Sequence, residues 1–377
     1  MYTPCLELSL LKAKNIMTEK DFIPAPYTVN VDEGKVRWKA PSNIALVKYW
    51  GKKTNQIPAN PSVSFTLNAC ATTTSMHFKK SATATDDFSF DLFFEGQPKA
   101  DFKPKIALFF ERILPYMPFL KNYHFTIETS NSFPHSSGIA SSASGMAALS
   151  LCLMEIEQKM SSNTDEESFY KKASFLARLG SGSASRSIKG SLVQWGNHKG
   201  TNGSSDLIAI PYPYKVHEVF NSFYDAILLV DKGQKQVSST VGHKLMHNHP
   251  FAEQRFIQAH ENLTALQGIF EEGDLDNFIK IVESEALTLH AMMMTSTPYY
   301  VLMKPNTLHI MERIMAFRNA TKTPVCFTLD AGANVHVLYP ESVKEKVYQF
   351  IKDELVAFCE NGQYICDKIG FGAKKLH

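Results

Sequence analysis

The sequence has few of the features that mark secreted, metal-binding or membrane proteins. Its six cysteines are scattered and form no C-x-x-C pair, which indicates reduced thiols in a cytosolic protein. The apolar patch at 5–11 is interrupted by Glu7 and falls far short of the ~20 residues of a membrane-spanning helix. The first 35 residues contain no Arg and five acidic residues, so we expect neither export nor mitochondrial targeting and predict a cytoplasmic protein.

Neither positive nor negative charge is in large excess. Lys and Arg number 39 against 37 Asp and Glu, a net charge of +2, which gives no general attraction to nucleic acid or an anionic membrane. Any anion binding must therefore be local. With 44% hydrophobic and 20% charged residues over a length of 377, the composition is that of a soluble globular protein long enough for two domains.

The pattern of apolar residues predicts an α+β chain with a domain boundary near residue 222. Residues 1–35 have no clear period and are interpreted as an extension that packs on a larger body. The half from 36 to 222 has predicted strands at 44–50, 60–67, 71–78, 123–128 and 191–195, a hairpin at 87–98, and helices at 105–114, 142–159 and 166–179. The half from 223 to 377 has predicted strands at 224–230, 325–329 and 335–339, and helices at 250–271, 274–294, 307–319 and 341–360.

A small-residue loop from Asn131 to Gly145 joins a predicted strand to an apolar helix that starts near Ser142. Its glycines and alanines let a ligand approach the backbone, and its serines offer hydroxyl groups. The unpaired N–H groups of the helix start favour anions, so the loop predicts a phosphate site. No Lys follows Gly145, so this is not the Walker pattern. An ordinary tight turn is the alternative for this segment alone.

A strand-end run from Ala40 to Lys52 contains two lysines and a tyrosine at the end of an apolar strand. One interpretation is that both lysines are solvated residues that keep the strand from aggregating. Lys48, however, directly follows four apolar residues, and a buried ammonium group requires an anionic partner. The run therefore predicts cationic and hydroxyl donors at a sheet edge that faces a cleft.

The segment from Leu179 to Gly190 places four serines and three glycines around Arg186. A guanidinium group binds a carboxylate through two parallel hydrogen bonds, and serine hydroxyls hold other oxygens. The segment therefore resembles an oxyanion clamp. A flexible linker is the weaker alternative, because a helix and a strand are predicted on its two sides.

Hydroxyl and imidazole groups follow in the second half. Ser239 and Thr240 fit either the completion of a phosphate site or a helix cap. Four histidines come next, but there is no His-Glu-x-x-His motif and Pro250 interrupts the spacing, so zinc is not expected at His243, His247, His249 and His260.

Asp330 ends a predicted strand and enters the turn Ala-Gly-Ala-Asn at 331–334. An aspartate at a strand end commonly forms a turn through its own side chain. The alternative is a catalytic acid at the rim of a sheet, and the segment in isolation does not separate the two.

All five segments, in this order, resemble the diphosphomevalonate decarboxylase family of the GHMP small-molecule kinase superfamily. The matching runs lie at 43–52, 134–145, 180–187, 239–242 and 330–334. The resemblance extends from about residue 36 to 340. Its Lys-Tyr-Trp-Gly-Lys and Gly-Ser-Gly-Ser-x-x-Arg-Ser runs are specific to the decarboxylase branch, whereas the serine-rich loop marks the superfamily.

The resemblance implies a GHMP-kinase-like two-domain α+β fold, with mixed or antiparallel sheets packed by helices and an active-site cleft between the domains. It implies ATP-dependent decarboxylation of mevalonate 5-diphosphate to isopentenyl diphosphate, ADP, phosphate and CO₂ in the mevalonate pathway of isoprenoid biosynthesis. ATP, Mg²⁺ and the small-molecule substrate are the expected ligands, and a homodimer is expected. No nucleic-acid or membrane partner is expected.

The resemblance also assigns roles to individual residues of this sequence, position by position. Asp330 would orient or deprotonate the substrate hydroxyl, Lys48 would counter charge on the transferring phosphoryl group, and Arg186 would hold the leaving carboxylate. The implied substrate-binding residues are Asn43, Tyr49, Lys52, Ser181, Ser183, Arg186, Ser239 and Thr240. The implied ATP-binding residues are Pro134, His135, Ser136, Ser137, Gly138, Ile139, Ala140, Ser141, Ser142, Ala143 and Ser144, with Ser141 near magnesium.

Some positions depart from the family pattern. Ala333 stands where Pro is usual, and Thr240 stands where some bacterial members have Arg; Leu179, Ser185 and His135 replace the common Gln, Cys and Thr. A mevalonate-3-kinase-like enzyme or a monophosphate decarboxylase is the alternative in the same class, and product analysis for CO₂ would distinguish it. A non-catalytic nucleotide-binding regulator is disfavoured because both Asp330 and Lys48 are present.

Overall fold

A computed structural model describes residues 17–82, 87–134, 139–161, 165–233 and 239–377 of the chain. The strands are β1 Glu33–Val47, β2 Ser62–Lys80, β3 Ser89–Phe94, β4 Gln97–Pro98, β5 Tyr123–Asn131, β6 Leu192–Trp195, β7 Ala209–Pro211, β8 Phe223–Leu228, β9 Cys326–Thr328, β10 Val335–Pro340, β11 Tyr364–Lys368 and β12 Lys374–Lys375. The helices are α1 Lys103–Ile113, α2 Ser141–Met160, α3 Glu166–Gly180, α4 Ser239–Lys244, α5 Ala252–Glu272, α6 Leu275–Met294, α7 Pro305–Thr321 and α8 Lys344–Phe350. None of the helices within these ranges is both long and apolar enough to cross a membrane.

The first sheet is built around two long antiparallel strands, β1 and β2. Its order is β12-β1-β2-β5-β3-β4, and the short strands β6 and β7 extend β2 on a second path. The parallel pairing of β3 with β5 makes the sheet mixed. The β1–β2 register shifts between Pro41 and Asn43 and again between Ala45 and Val47, and such irregularities bend a strand. They lie just before Lys48, where β1 leaves the sheet.

The second sheet contains four antiparallel strands in the order β11-β8-β10-β9. Helices α1, α2 and α3 pack on the first sheet through one apolar core. A second core joins Ile44 and Phe65 of the first sheet to Phe223 of the second sheet and to Leu263 and Phe278 of α5 and α6. The end of β1 is therefore held against both halves of the chain by buried apolar surface.

The α+β class and most predicted elements are confirmed, with three corrections. The two strands predicted at 60–67 and 71–78 are one strand, β2, which continues through residues 68–70 without a turn. The helix predicted over 341–360 is α8 followed by a π turn and a 3₁₀ turn that ends at Phe358. Strands β11 and β12 were not predicted. The extension packs on the body where it is described, since Phe22 stacks on Phe175 of α3.

Candidate active site

An ion pair between the buried Lys48 and the partly exposed Asp330 joins the two sheets. Lys48 follows the last residue of β1, and Asp330 lies two residues beyond β9. The Lys48 Nζ is 3.0 Å from Asp330 Oδ1, and the side chains are 2% and 27% exposed. The expectation of an anionic partner for Lys48 is thus met by a residue 282 positions away. The Asp330 carboxylate therefore remains partly exposed.

The turn after Asp330 is held by hydrogen bonds. The Gly332 N–H donates to the Asp330 carbonyl at 2.7 Å, and the buried Thr307 hydroxyl of α7 donates to the Ala333 carbonyl at 2.7 Å. The His290 ring of α6 lies 3.1 Å from the Asp330 carbonyl through its Nε2. The turn therefore has partners in α6 and α7 although it lacks a proline at 333.

Arg186 lies in a short 3₁₀ segment, Gly182–Ser187, that is packed and therefore not a flexible linker. Its guanidinium donates to Ser62 Oγ at 2.6 Å, Ser64 Oγ at 3.0 Å and Asn43 Oδ1 at 3.3 Å. Burial lowers the pKa of Arg186 to about 10, and Asp330 acts in the opposite direction. Within the described ranges no carboxylate lies at ion-pair distance from this guanidinium, so Arg186 is a buried cation whose hydrogen-bond partners are neutral groups.

Asn43 and the serines surround Arg186. The Asn43 amide donates to Ser187 Oγ at 2.8 Å and to the Ser183 carbonyl at 3.3 Å, which ties β1 to the Gly182–Ser187 segment. Ser181 and Ser183 are partly exposed. Ser185, at the departure from the family pattern, is buried and donates to the Gly182 carbonyl at 2.9 Å. It therefore stabilises the segment internally.

Tyr49 places a hydroxyl in the same region. Its ring packs edge-on against Trp195 at 4.8 Å and lies 4.3 Å from His243. Its oxygen is buried and has no hydrogen-bond partner among the described residues, and burial raises the pKa of Tyr49. A buried hydroxyl without a partner is costly, so Tyr49 is suited to donate to a bound ligand.

His243 has a structural contact that the sequence did not predict. Its Nδ1 accepts the Gly51 N–H at 3.0 Å, and its ring lies 4.6 Å from Trp50. Burial, with a smaller contribution from Lys52, lowers the pKa of His243 to about 3. Among the residues that the structure describes, no three side chains form a metal-binding group.

Lys52 lies close enough to three other cations for their charges to act on it. Burial lowers the pKa of Lys52, and three neighbouring cations lower it further: Arg112, Lys244 and Lys105. Lys105 Nζ lies 3.0 Å from Ser142 Oγ, and Arg112 donates to the Leu179 carbonyl at 3.0 Å. None of the four forms an ion pair with a described carboxylate. We call these four residues the basic cluster.

The serine-rich loop is described only in part. His135, Ser136, Ser137 and Gly138 lie outside the described residues, as do the side chains of Ser239 and Thr240, although α4 begins at Ser239. Pro134 is exposed, and Ile139 is buried. Ala140 takes the left-handed conformation, with φ of 45°, directly before α2 begins at Ser141. Helix α2 thus starts within one residue of the predicted position.

A cavity of about 170 Å³ opens beside the first turn of α2. Its walls include Leu92, Ile127 and Met146, and its polar rim includes Ser141 and Ser142. Next to it, the Ser144 hydroxyl of α2 lies 2.6 Å from Thr72 Oγ1 of β2, so Ala143 and Ser144 are fixed against the sheet. The start of α2 is therefore a rigid N-terminus next to an apolar recess.

Comparison with known proteins points to one family. Two family profiles match: the diphosphomevalonate decarboxylase-like N-terminal domain at residues 40–209, and the mevalonate 5-diphosphate decarboxylase C-terminal domain at 226–370. The diphosphomevalonate decarboxylase of Debaryomyces hansenii is 30% identical over 327 residues, which cover 82% of this chain and 80% of that protein.

Solved structures agree in fold. The mevalonate diphosphate decarboxylase from Staphylococcus aureus is 27% identical, with a TM-score of 0.78 over 92% of this chain and 98% of that chain. A structure of MDDEF in complex with MVAPP, AMPPCP and magnesium is 26% identical, with a TM-score of 0.78 over 92% of this chain and 99% of that chain. The chain therefore belongs to the diphosphomevalonate decarboxylase family.

Proposed function

We propose that the protein converts mevalonate 5-diphosphate to isopentenyl diphosphate, with ATP converted to ADP and phosphate and with release of CO₂. The observation that carries this proposal is the Lys48–Asp330 pair, 3.0 Å apart, near the buried guanidinium of Arg186, which forms no ion pair with a carboxylate among the described residues. The pathway is the mevalonate route to isoprenoids, and the proposed location is the cytoplasm.

The proposed reaction has two stages. The substrate 3-hydroxyl oxygen forms a bond to the γ-phosphorus of ATP while the bond from that phosphorus to the bridging oxygen breaks and ADP leaves. Asp330 orients the hydroxyl and accepts its proton. The C–O bond to the new phosphate and the C–C bond to the carboxylate then break, and the electron pair of the C–C bond becomes the double bond. Lys48 offsets charge on the phosphoryl group, and Arg186 orients the carboxylate.

The start of α2 supports the proposed ATP site. Its free N–H groups suit the phosphates, and the apolar recess suits part of the nucleotide. The proposed ATP contacts run from Pro134 to Ser144, with Ser141 nearest the metal. Magnesium, when bound, would neutralise phosphate charge. Lys105 of α1 places its positive charge at the first turn of α2, where it is repelled by the positive end of the helix dipole. A bound polyphosphate would make the same charge favourable.

The basic cluster favours a diphosphate over a monophosphate. Thr240 stands where some bacterial members have Arg, but Lys244 supplies a cation within the same short helix, α4. Tyr49, Lys52, Ser239 and Thr240, with Ser183, would hold the diphosphate, and Asn43 and Ser181 would line the rest of the substrate pocket. We expect Lys244→Met to raise KM for mevalonate 5-diphosphate by about 10- to 100-fold, since charged hydrogen bonds contribute ~1.5–3 kcal/mol.

The matched control for Lys244→Met is Lys280→Met, which removes an exposed lysine whose contact is Asn277 on its own helix. An equal rise in KM for both variants would contradict the diphosphate assignment. So would a preference of the wild-type enzyme for the monophosphate.

A coupled assay of ADP release with mevalonate, its 5-phosphate and its 5-diphosphate, together with measured CO₂, tests the function. ADP release without CO₂ would indicate a kinase and refute the decarboxylase. We expect Asp330→Asn to lower kcat at least ~100-fold, the usual size of general acid–base effects, with KM for ATP unchanged. Arg186→Ala is expected to lower kcat/KM for the substrate, and Arg186→Lys to restore part of it.

Two organisational proposals accompany the function. The domain boundary is placed near residue 222, between β7 and β8, with residues 1–35 as an extension and 36–222 and 223–377 as the two domains. The protein is proposed to form a homodimer. Light scattering coupled to gel filtration tests the dimer, and a mass of one chain at all concentrations would refute it.

A further inference from the structure

Lys48 is held through its backbone by side chains from the second half of the chain. It lies one residue beyond β1. Its N–H donates to Glu285 Oε2 of α6 at 2.8 Å, and its carbonyl accepts from Arg255 Nη2 of α5 at 3.1 Å. Asn60 donates to the same carbonyl at 2.9 Å. Both backbone polar groups of the residue that meets Asp330 are thus fixed by distant groups.

Arg255 and Glu285 also bind each other. Both side chains are fully buried. Arg255 Nη1 lies 3.0 Å from Glu285 Oε1, and Nη2 contacts Oε2. Asn262 donates to Glu285 Oε1 at 2.6 Å. The Glu285 carboxylate therefore has four donors, and one of them is the Lys48 backbone.

Such a pair is an inefficient way to stabilise a fold. Two charges lose their hydration on burial, and well-packed apolar residues of similar volume are often equally or more stabilising. Here the Arg255 Nε is also buried without a partner among the described residues, which adds to the cost. Apolar residues could not replace the two hydrogen bonds that Glu285 and Arg255 form with the N–H and the carbonyl of Lys48.

We infer that Arg255 and Glu285 are positioning residues for the reaction, which fix the Lys48 backbone so that its ammonium group stays at hydrogen-bond distance from Asp330. This inference rests on the proposed function. Because the pair belongs to α5 and α6 while Lys48 belongs to the first sheet, the lysine takes its place only when the two halves are packed together. The pair touches neither the proposed ATP site nor the basic cluster in any described contact.

Three variants test the inference. Glu285→Gln keeps one acceptor oxygen and the side-chain shape but removes the charge. Arg255→Met/Glu285→Leu removes both charges together, so no unpaired charge remains buried. Glu157→Gln is the matched control, because Glu157 also forms a buried ion pair, with Lys172 at 2.7 Å, on the far part of α2. Each variant is measured for kcat, for KM of ATP and substrate, and for Tm.

We expect Glu285→Gln and the double variant to lower kcat by about 10- to 100-fold, because a displacement of ~1 Å at a reacting group costs up to ~100-fold. KM for ATP should stay within about twofold. The double variant should recover Tm relative to Glu285→Gln while kcat stays low. If kcat recovers together with Tm, or if Glu157→Gln lowers kcat equally, the pair serves only stability and the inference fails.

A crystal structure of the double variant separates this inference from the proposed function. We expect the distance from Lys48 Nζ to Asp330 Oδ1 to exceed 3.5 Å. An unchanged 3.0 Å distance would overturn the inference even if the wild-type enzyme is an active decarboxylase. A wild-type enzyme that is inactive on every mevalonate substrate would overturn the proposed function whatever that distance is.

Discussion

Mild acid should destabilise the fold through two buried histidines beside the candidate site. His243 and His290 are 7% and 1% exposed. Burial lowers their pKa values to about 3 and about 4; Lys52 adds to the effect at His243, and at His290 Lys48 adds to it while Asp330 opposes it. Protonation of His243 Nδ1 would also break its hydrogen bond from Gly51 N–H. Each ring is therefore neutral in the folded protein at neutral pH.

The direction of the pH effect on the free energy of unfolding follows from the number of protons that the folded and unfolded chains bind. An unfolded histidine has a pKa of ~6.5, so between pH 6.5 and about 4 the unfolded chain binds protons that the folded chain does not. The stabilising contribution is complete above pH 6.5 and is lost as the pH falls towards the folded pKa values. From pH 7 to pH 5 each histidine should lower the free energy of unfolding by about 2 kcal/mol, since one pKa unit corresponds to ~1.4 kcal/mol.

The assay is urea unfolding at pH 7 and pH 5 at constant ionic strength. Removing one histidine should reduce the loss of stability between the two pH values by about 2 kcal/mol; His243→Met is the test and the exposed His247→Gln is the control. Subtracting the pH-dependent loss of the variant from that of the wild type removes the contributions of other titrating groups. One of these is the buried Asp225, whose pKa is raised by burial. If the free energy of unfolding falls by the same amount between pH 7 and pH 5 in His243→Met and in the wild type, His243 is not held neutral in the folded protein and the prediction is refuted.

Other predictions concern packing and the backbone. Lys322 directly follows α7 and has a left-handed backbone with φ of 56°, which glycine adopts without steric cost. Lys322→Gly should therefore raise the free energy of unfolding by about 1 kcal/mol in a urea titration. A Cβ at Gly182 would lie 2.7 Å from the Trp195 ring and 2.9 Å from the Tyr49 hydroxyl, so Gly182→Ala should lower Tm and raise substrate KM; unchanged values would contradict the close packing. Asp367 accepts the N–H groups of residues 68, 69 and 70 at 3.0, 2.7 and 2.7 Å, so Asp367→Asn should cost about 2 kcal/mol of stability by calorimetry.

Local patterns were sufficient for the elements whose determinants are close in sequence. Helix α3 begins at Glu166, where the helix predicted over 166–179 starts, and the Asp165 side chain before it accepts the Ser168 N–H at 2.9 Å. The requirement of Lys48 for an anion also follows from sequence, because four apolar residues precede it and a buried ammonium must be compensated. These inferences depend on neighbours within a few positions.

Elements stabilised by distant contacts could not be predicted in this way. Strand β12 has two residues, and its partners Trp38 and Lys39 lie more than 330 positions earlier. The π and 3₁₀ turns after α8 follow from packing rather than from any helix-breaking residue between 351 and 358. His243 illustrates the same limit, because the sequence rejected a zinc site there but predicted no other partner, whereas its ring accepts the Gly51 N–H and packs against Tyr49 and Trp50.

The same distinction explains how the site is assembled. Its chemical groups are recognisable in short segments because each needs a particular residue type, such as a guanidinium for a carboxylate. Their distances depend on the packing of α5 and α6 against the end of β1, where Ile44 shares a core with Leu263 and Phe278. Stability and geometry of the site are therefore linked: a substitution in this shared core that loosens the contact should change the Lys48–Asp330 distance before it unfolds either sheet.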